Sequence, residues 1–217
     1  MKVIDLTHTI NCDTPVYPGS ERPTLGAVAR LGEHGYRETR LSIDSHTGTH
    51  IDPPAHLVAD GRTLDSFAAD AFIGVGLVID CREVGRGGRI GEDILLRYRE
   101  RLADCDFLLF CTGWDRFWGS DGYFDGYPTL APSAAEYIAS LGLKGVGFDT
   151  ASPDLIDDAN LTCHNKLFST GNTVIIENLK GLDELIGADF TLCALPILVE
   201  GSDGAPARVV AIVGSPD

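Results

Sequence analysis

Short runs of β-branched and apolar residues, each closed by turn-forming residues, recur along this chain and make a sheet the element that must organise it. The runs are Lys2–Leu6, Glu38–Ile43, Gly74–Cys81, Phe107–Cys111, Gly145–Phe148, Thr173–Ile176, Leu192–Val199 and Arg208–Val213. Helical periodicity is clearest in Gly91–Ala103, where Ile94, Leu95, Tyr98 and Leu102 share one face. A second helix is expected over Pro132–Leu141, with proline suited to the first turn and Gly142 to the stop. Leu182–Ile186 adds a single turn. Strands outnumber helices, and the connections are too irregular for a repeating βαβ unit. The expected class is therefore α/β, a mixed sheet with a few covering helices. At 217 residues and 44% hydrophobic, the chain can bury one full core, so residues 1–217 are read as one domain.

A formal net charge of −15 argues against nucleic acid or an anionic membrane as partner. The N-terminal residues show no apolar run of signal-peptide length, and no stretch approaches the roughly 20 apolar residues of a membrane span. A cytoplasmic protein with a small-molecule substrate is expected. The six cysteines are widely spaced and form no CxxC pair, so they are read as reduced thiols. Cys163, beside His164, is left between a ligand and a pocket-lining thiol. The long Gly-, Asp- and aromatic-rich segment Trp114–Thr129 is a candidate pocket wall or lid, with a plain surface loop as the alternative.

The chemistry concentrates in His46-Thr-Gly-Thr-His50-Ile-Asp52-Pro-Pro-Ala-His56, which holds three of the six histidines. Gly48, two β-branched threonines and Pro53-Pro54 argue against a helix, so the segment is a bent strand end or turn. Alternation puts His50 and Asp52 on one face, and a hinge at Gly48 swings His46 back toward them. Two imidazoles and one carboxylate form the open ligand shell of a catalytic metal. His56, past the rigid Pro-Pro pair, is read as a proton-transfer residue beside the metal, with a fourth ligand or an orienting contact as alternatives. Farther along, His164 in a polar stretch and Glu177 at the end of an apolar run look like completions of the site. Their bland readings are a hydrogen-bonded loop histidine and an exposed strand-end glutamate.

Taken together, Asp5-Leu-Thr-His8, Pro15-Val-Tyr-Pro-Gly19, the His46–His56 segment, Thr112-Gly-Trp114, Gly147-Phe-Asp149-Thr, His164, Glu177-Asn178-Leu179 and Ala194-Leu-Pro196 resemble the cyclase-like metal-dependent hydrolases, a family that includes bacterial kynurenine formamidases and isatin hydrolases. The resemblance implies a swivelling β/β/α fold, a homo-oligomer (dimer or tetramer) and one or two divalent metals per chain, zinc first and manganese second. Carried over by position, His46, His50 and Asp52 would bind one metal, Asp52, His164 and Glu177 would frame another, and His56 would be the catalytic acid/base. The implied activity is hydrolysis of a C–N bond in a small aryl amide, with N-formylkynurenine as the leading substrate and tryptophan catabolism as its setting. Cyclic amides of the isatin type, lactones, polyketide-type cyclisation and a non-catalytic metal-binding role are the alternatives. Tyr17, Trp114, Phe117, Trp118 and Phe124 are the candidate aromatic walls.

Overall fold

The computed structural model describes residues 1–214. Its strands, in chain order, are β1 (Lys2–Asp5), β2 (Thr24–Ala29), β3 (Glu38–Ser42), β4 (His50–Asp52), β5 (Ile73–Asp80), β6 (Arg89–Ile90), β7 (Phe107–Cys111), β8 (Thr129–Leu130), β9 (Gly145–Phe148), β10 (Val174–Glu177), β11 (Phe190–Pro196) and β12 (Ala205–Val213). The helices are α1 (Leu31–His34), α2 (Glu92–Leu96), α3 (Arg99–Leu102), α4 (Pro132–Ser140) and α5 (Thr162–Leu167). Eight strands form one mixed sheet in the order β1-β12-β11-β5-β7-β9-β10-β4. The sheet closes on itself, because β12 also pairs with β4 through Ala205 and Pro206, while β1 takes the other end of the same β12 edge. A barrel of seven strands results, with β1 as an extension. Its β5, β7, β9 and β10 run parallel, and the remaining joins are antiparallel.

Period-two alternation on the buried strands divides the apolar residues into two layers. On β7, Phe107, Leu109 and Cys111 enter the barrel interior with Val78, Ile176, Leu192 and Val209. The alternate residues Leu108 and Phe110 face outward with Ile79, Phe148 and Ile175, where α2, α4 and α5 cover them. Each fully buried Leu, Ile or Phe contributes about 1.5–3 kcal/mol of transfer free energy. The site sits on this helix-covered outer face, where β4 and β10 meet α5.

Every expected strand is present, with ends shifted by a few residues. The exposed β2 was missed because Thr24–Ala29 carries no buried alternation beyond Ala29. The expected helix over Gly91–Ala103 is two pieces, α2 and α3, broken at Tyr98, whose hydroxyl accepts the Asp80 backbone N–H at the end of β5. The predicted face still holds, since Ile94, Leu95 and Leu102 are buried. Leu182–Leu185 is a single 3-10 turn. No helix among the described residues is long and apolar enough to cross a membrane.

Candidate metal centre

The His46–His56 segment folds as a sharp turn, a three-residue strand and a 3-10 turn (Pro54–His56). Gly48 takes the left-handed conformation (φ 66°) that the turn requires. Within β4, Ile51 points into the barrel while His50 and Asp52 point to the other face, both buried. Antiparallel pairing with β10 places Glu177 directly across from His50, and a directly opposed pair brings side chains within reach of each other. From the helical side, α5 delivers His164, and the 3-10 turn carries His56. All six residues named from the sequence line one cavity of 310 Å³.

Asp52 is the centre of the arrangement. Its Oδ1 lies 2.7 Å from Nδ1 of His46 and 3.2 Å from Nε2 of His50, and its Oδ2 lies 3.7 Å from Nε2 of His164. Glu177 repeats the pattern, with Oε2 at 3.4 Å from Nε2 of His50 and Oε1 at 3.3 Å from Nε2 of His164. Two carboxylates therefore each show one oxygen toward His50 and the other toward His164. Each of these two imidazoles is held by its far nitrogen. Nδ1 of His50 donates to the Gly48 carbonyl at 2.8 Å, and Nδ1 of His164 donates to Asp154 at 2.7 Å. Those bonds fix the tautomer that leaves Nε2 free to bind a cation. His56 makes no hydrogen bond to these residues, and its ring centroid stands 4.2 Å from that of His46 and 6.0 Å from that of His164.

The donor set fits a divalent cation. Nε2 of His46, Nε2 of His50 and Oε1 of Glu177 are buried without a hydrogen-bond partner, an expensive condition unless something else binds them. Two clusters have ligand-capable atoms within 4.8 Å of one another: His50, Asp52 and Glu177, and His46, Asp52 and His56. The charge balance among these residues points the same way. Burial opposes charging His50, but the Asp52 carboxylate and then Glu177 outweigh it and push its pKa up to about 9. Burial likewise opposes charging His164, yet its bond to Asp154 and the nearby carboxylates of Asp52 and Glu177 hold it well above the ordinary value. Asp52 resists its own burial through its imidazole neighbours and stays well below the usual carboxylate range, while burial and the charge of Asp52 raise Glu177. The centre demands positive charge. His56 differs, since burial pushes its pKa down to about 4 against the pull of Asp52, leaving the ring neutral near pH 7.

Three features were not read from the sequence. Asp154 is buried and also accepts the backbone N–H groups of Cys163 and His164, so it caps the start of α5 as well as orienting the His164 ring. No local pattern marks it, because its partner lies ten residues away on an unanticipated helix. Asn178 donates to the Gly48 carbonyl and accepts the Tyr123 hydroxyl, tying the His50 turn to the aromatic segment. Asn178 and Leu161, both lining the cavity, are the non-glycine residues with left-handed backbones (φ 58° and 45°) among those described, and such strain gathers at functional sites.

Other expectations divide. Of the candidate walls, Tyr17 and Phe124 line the cavity. Trp114 is buried behind it with Tyr123 and Tyr127, and Phe117 and Trp118 pack against that cluster. The Trp114–Thr129 segment thus supplies one wall residue, Phe124, while most of its rings form a small core. Cys163 is neither ligand nor lining, since its buried thiol turns to the Leu130 carbonyl in the helix-covered core. Asp149 is structural too, accepting N–H groups from Thr112 and Gly113 and so joining the ends of β7 and β9.

A closed mixed barrel with an imidazole–carboxylate centre at its covered edge is the architecture of a metal-dependent hydrolase. The sequence matches the family described as Putative cyclase over residues 4–155, and the chain belongs to that family. It is 30% identical to the kynurenine formamidase of Bacillus mycoides over 213 residues, covering 95% of each chain. Among solved structures it resembles a potential metal-dependent hydrolase with cyclase activity (TM-score 0.80, 28% identity, 99% of each chain). The fold is also shared with an isatin hydrolase bound to the product analogue thioisatinate (TM-score 0.89, 20% identity, 99% of this chain and 93% of the other).

Proposed function

We propose that this chain is a divalent-metal amidohydrolase that cleaves a C–N bond in a small aryl amide, with N-formylkynurenine as the leading substrate. The observation that carries the reading is the pair of buried carboxylates, Asp52 and Glu177, each held between imidazoles whose Nε2 atoms are free for a cation. In this reading His46, His50 and Asp52 hold one metal, and Asp52, His164 and Glu177 frame a second. When bound, such a metal polarises a carbonyl and lowers the pKa of water toward neutrality. Zinc suits the imidazole-rich side, and manganese is the second choice for the carboxylate-rich side.

The chain's own groups do the rest. Tyr17 and Phe124, whose rings meet edge to face at 6.2 Å, offer an aryl ring two flat apolar surfaces. Tyr17 is anchored through its hydroxyl to the Ile156 carbonyl at 2.9 Å, which fixes its ring as one wall of the cavity. Neutral His56 accepts a proton from the attacking water on an imidazole nitrogen and passes it to the departing nitrogen, which an unactivated amine requires. A single domain over residues 1–217, a homo-oligomer and a cytoplasmic setting complete the reading, supported by the family's full-length likeness to bacterial enzymes.

Elemental analysis combined with a hydrolysis panel tests it. Gently purified protein is expected to hold about one to two equivalents of divalent metal per chain and to hydrolyse N-formylkynurenine faster than isatin, simple lactones or polyketide-like chains. Protein that takes up neither zinc nor manganese refutes the metal reading. Metal-loaded protein inactive on every amide favours a non-catalytic role.

A further inference from the structure

Of the three imidazoles assigned to the metal, His46 alone lacks a tether on its far nitrogen among the described residues. His50 and His164 present Nε2 to the carboxylates and are held by Nδ1, at the Gly48 carbonyl and at Asp154. His46 is turned the other way. Its Nδ1 lies 2.7 Å from Oδ1 of Asp52, so Nε2 is the far nitrogen, buried and without a hydrogen bond. Facing it at 3.5 Å, just beyond hydrogen-bond length, is Oδ2 of Asp203.

The loop that carries Asp203, residues 197–204 between β11 and β12, is built against the site. Its far end is fixed by register, since Ala205 and Pro206 pair with Ile51 and His50 of β4. Ser202 is buried, its carbonyl accepts the Leu64 N–H at 3.1 Å, and its hydroxyl donates to the Gly204 carbonyl. Gly204 then lies against the His46 ring. A methyl group at Gly204 would stand 2.6 Å from Cε1 and 2.8 Å from Nε2 of that ring. Gly204 does not take the left-handed conformation, so glycine is required there for space rather than for backbone freedom. The Asp203 side chain, 59% exposed, is free to close the small remaining gap without disturbing the core.

We propose that Asp203 is a positioning residue for His46: its carboxylate accepts the Nε2–H and so commits Nδ1 to the cation, while Gly204 gives the loop the close approach this needs. A neutral imidazole protonated on one nitrogen offers only the other as a ligand. A carboxylate behind a ligating imidazole fixes the ring and raises its basicity. His46 therefore binds through the nitrogen opposite to that used by His50 and His164. The assignment rests on the metal centre proposed above and adds to it a residue and a direction of binding.

Two measurements on the full chain test it: zinc affinity by competition with a metal indicator, and ring-nitrogen NMR of the isotope-labelled, zinc-loaded protein. In wild type His46 should carry its proton on Nε2 and the metal-shifted resonance on Nδ1, with His50 and His164 reversed. Asp203→Asn should lower zinc affinity about tenfold. Asp203→Glu, which keeps the charge on a longer arm, should recover most of the loss, whereas Glu200→Gln, which removes a neighbouring charge from the same loop, should cause none. Gly204→Ala should also weaken zinc about tenfold or more, because a ligating ring cannot swing away from the added methyl. Melting in chelator should be the same for wild type and Asp203→Asn, which separates the loss from unfolding. Binding of His46 through Nε2, an Asp203→Asn protein as tight as wild type, or an equal loss in Glu200→Gln overturns the assignment and leaves the metal reading standing. A wild type that takes up neither zinc nor manganese overturns the metal reading and this assignment with it.

Discussion

His56 and His50 both border the same cavity, yet their surroundings assign them different work. His50 has its far nitrogen fixed to the Gly48 carbonyl and its near nitrogen between two carboxylates, whereas His56 is free of hydrogen bonds and kept neutral by burial. His50→Ala should therefore lower metal content, while His56→Ala should retain metal and lose a factor of about 10²–10⁴ in turnover, more for alkylamine than for activated leaving groups. Metal analysis beside the two rates checks this, and a metal-free His56→Ala protein would make His56 a ligand, as its cluster with His46 and Asp52 permits. Asp154 acts through His164. Replacing it by asparagine keeps the shape but loses the charge that favours the Nε2-free tautomer, and metal affinity should fall about 10–100-fold. Titration with a metal indicator would show it, and unchanged affinity would make Asp154 only a helix cap. A third residue, His8, stacks on Trp118 with centroids 4.1 Å apart. Burial, aided by Lys180, pushes its pKa down to about 4. The unfolded chain then binds the extra proton between about pH 6.5 and 4, so stability is complete above that window and falls as pH drops through it. His8→Phe keeps the stack and removes the titration. Its melting temperature should fall less between pH 7.5 and 5 than that of wild type, by a difference worth about 1 kcal/mol after allowing for partial exposure.

At the scale of elements, the site depends on three short pieces meeting at one edge of the barrel. Strand β4 has only three residues, and its register against β10 places Glu177 opposite His50. A slip of one residue would turn both side chains into the apolar interior. The Pro54–His56 turn is held by a close backbone approach at Gly61. A methyl group there would stand 2.6 Å from the Pro54 carbonyl carbon and 2.7 Å from the Ala55 nitrogen, backbone atoms that cannot rotate away. Gly61→Ala should shift His56 and lower kcat about tenfold or more, since small misplacements of reacting groups cost that much, while metal content stays near that of wild type. Steady-state kinetics with metal analysis checks this, and an unimpaired kcat would mean the turn yields without moving His56.

The barrel interior lies across the strands from the metal centre, since interior residues such as Leu109, Ile176 and Val209 are on the opposite face from Asp52 and Glu177. Removing metal should therefore leave the sheet folded but less stable. Without a cation the imidazoles must carry the charge that balances two buried carboxylates. Melting with and without a chelator should lower the transition by several degrees, equivalent to about 1–3 kcal/mol for a chain of this size, with a β-rich spectrum retained below it. Added zinc or manganese should restore the transition. An identical melting curve in chelator would mean that no bound metal stabilises the fold.

The sequence by itself determined eight of the twelve described strands, because β-branched runs bounded by turns leave a signature whose ends tertiary contacts shift by no more than three residues. It also marked the candidate site residues, since His46, His50, Asp52 and His56 fall within one bend and their chemistry does not depend on distant partners. Tertiary structure alone decided what lies across from them. Glu177 and His164 are expected from the sequence as completions of the site, but a strand-end carboxylate and a loop histidine stay open as readings until β10 pairs with β4 and a six-residue helix forms, and Asp154 carries no mark before that helix docks. The same holds for the aromatic segment, where composition cannot tell Phe124 in the cavity wall from Trp114 in the core behind it. Side-chain identity and local period are written in the chain, but which groups share a cavity depends on closing loops of a hundred residues or more, and that is settled by the summed burial of the barrel.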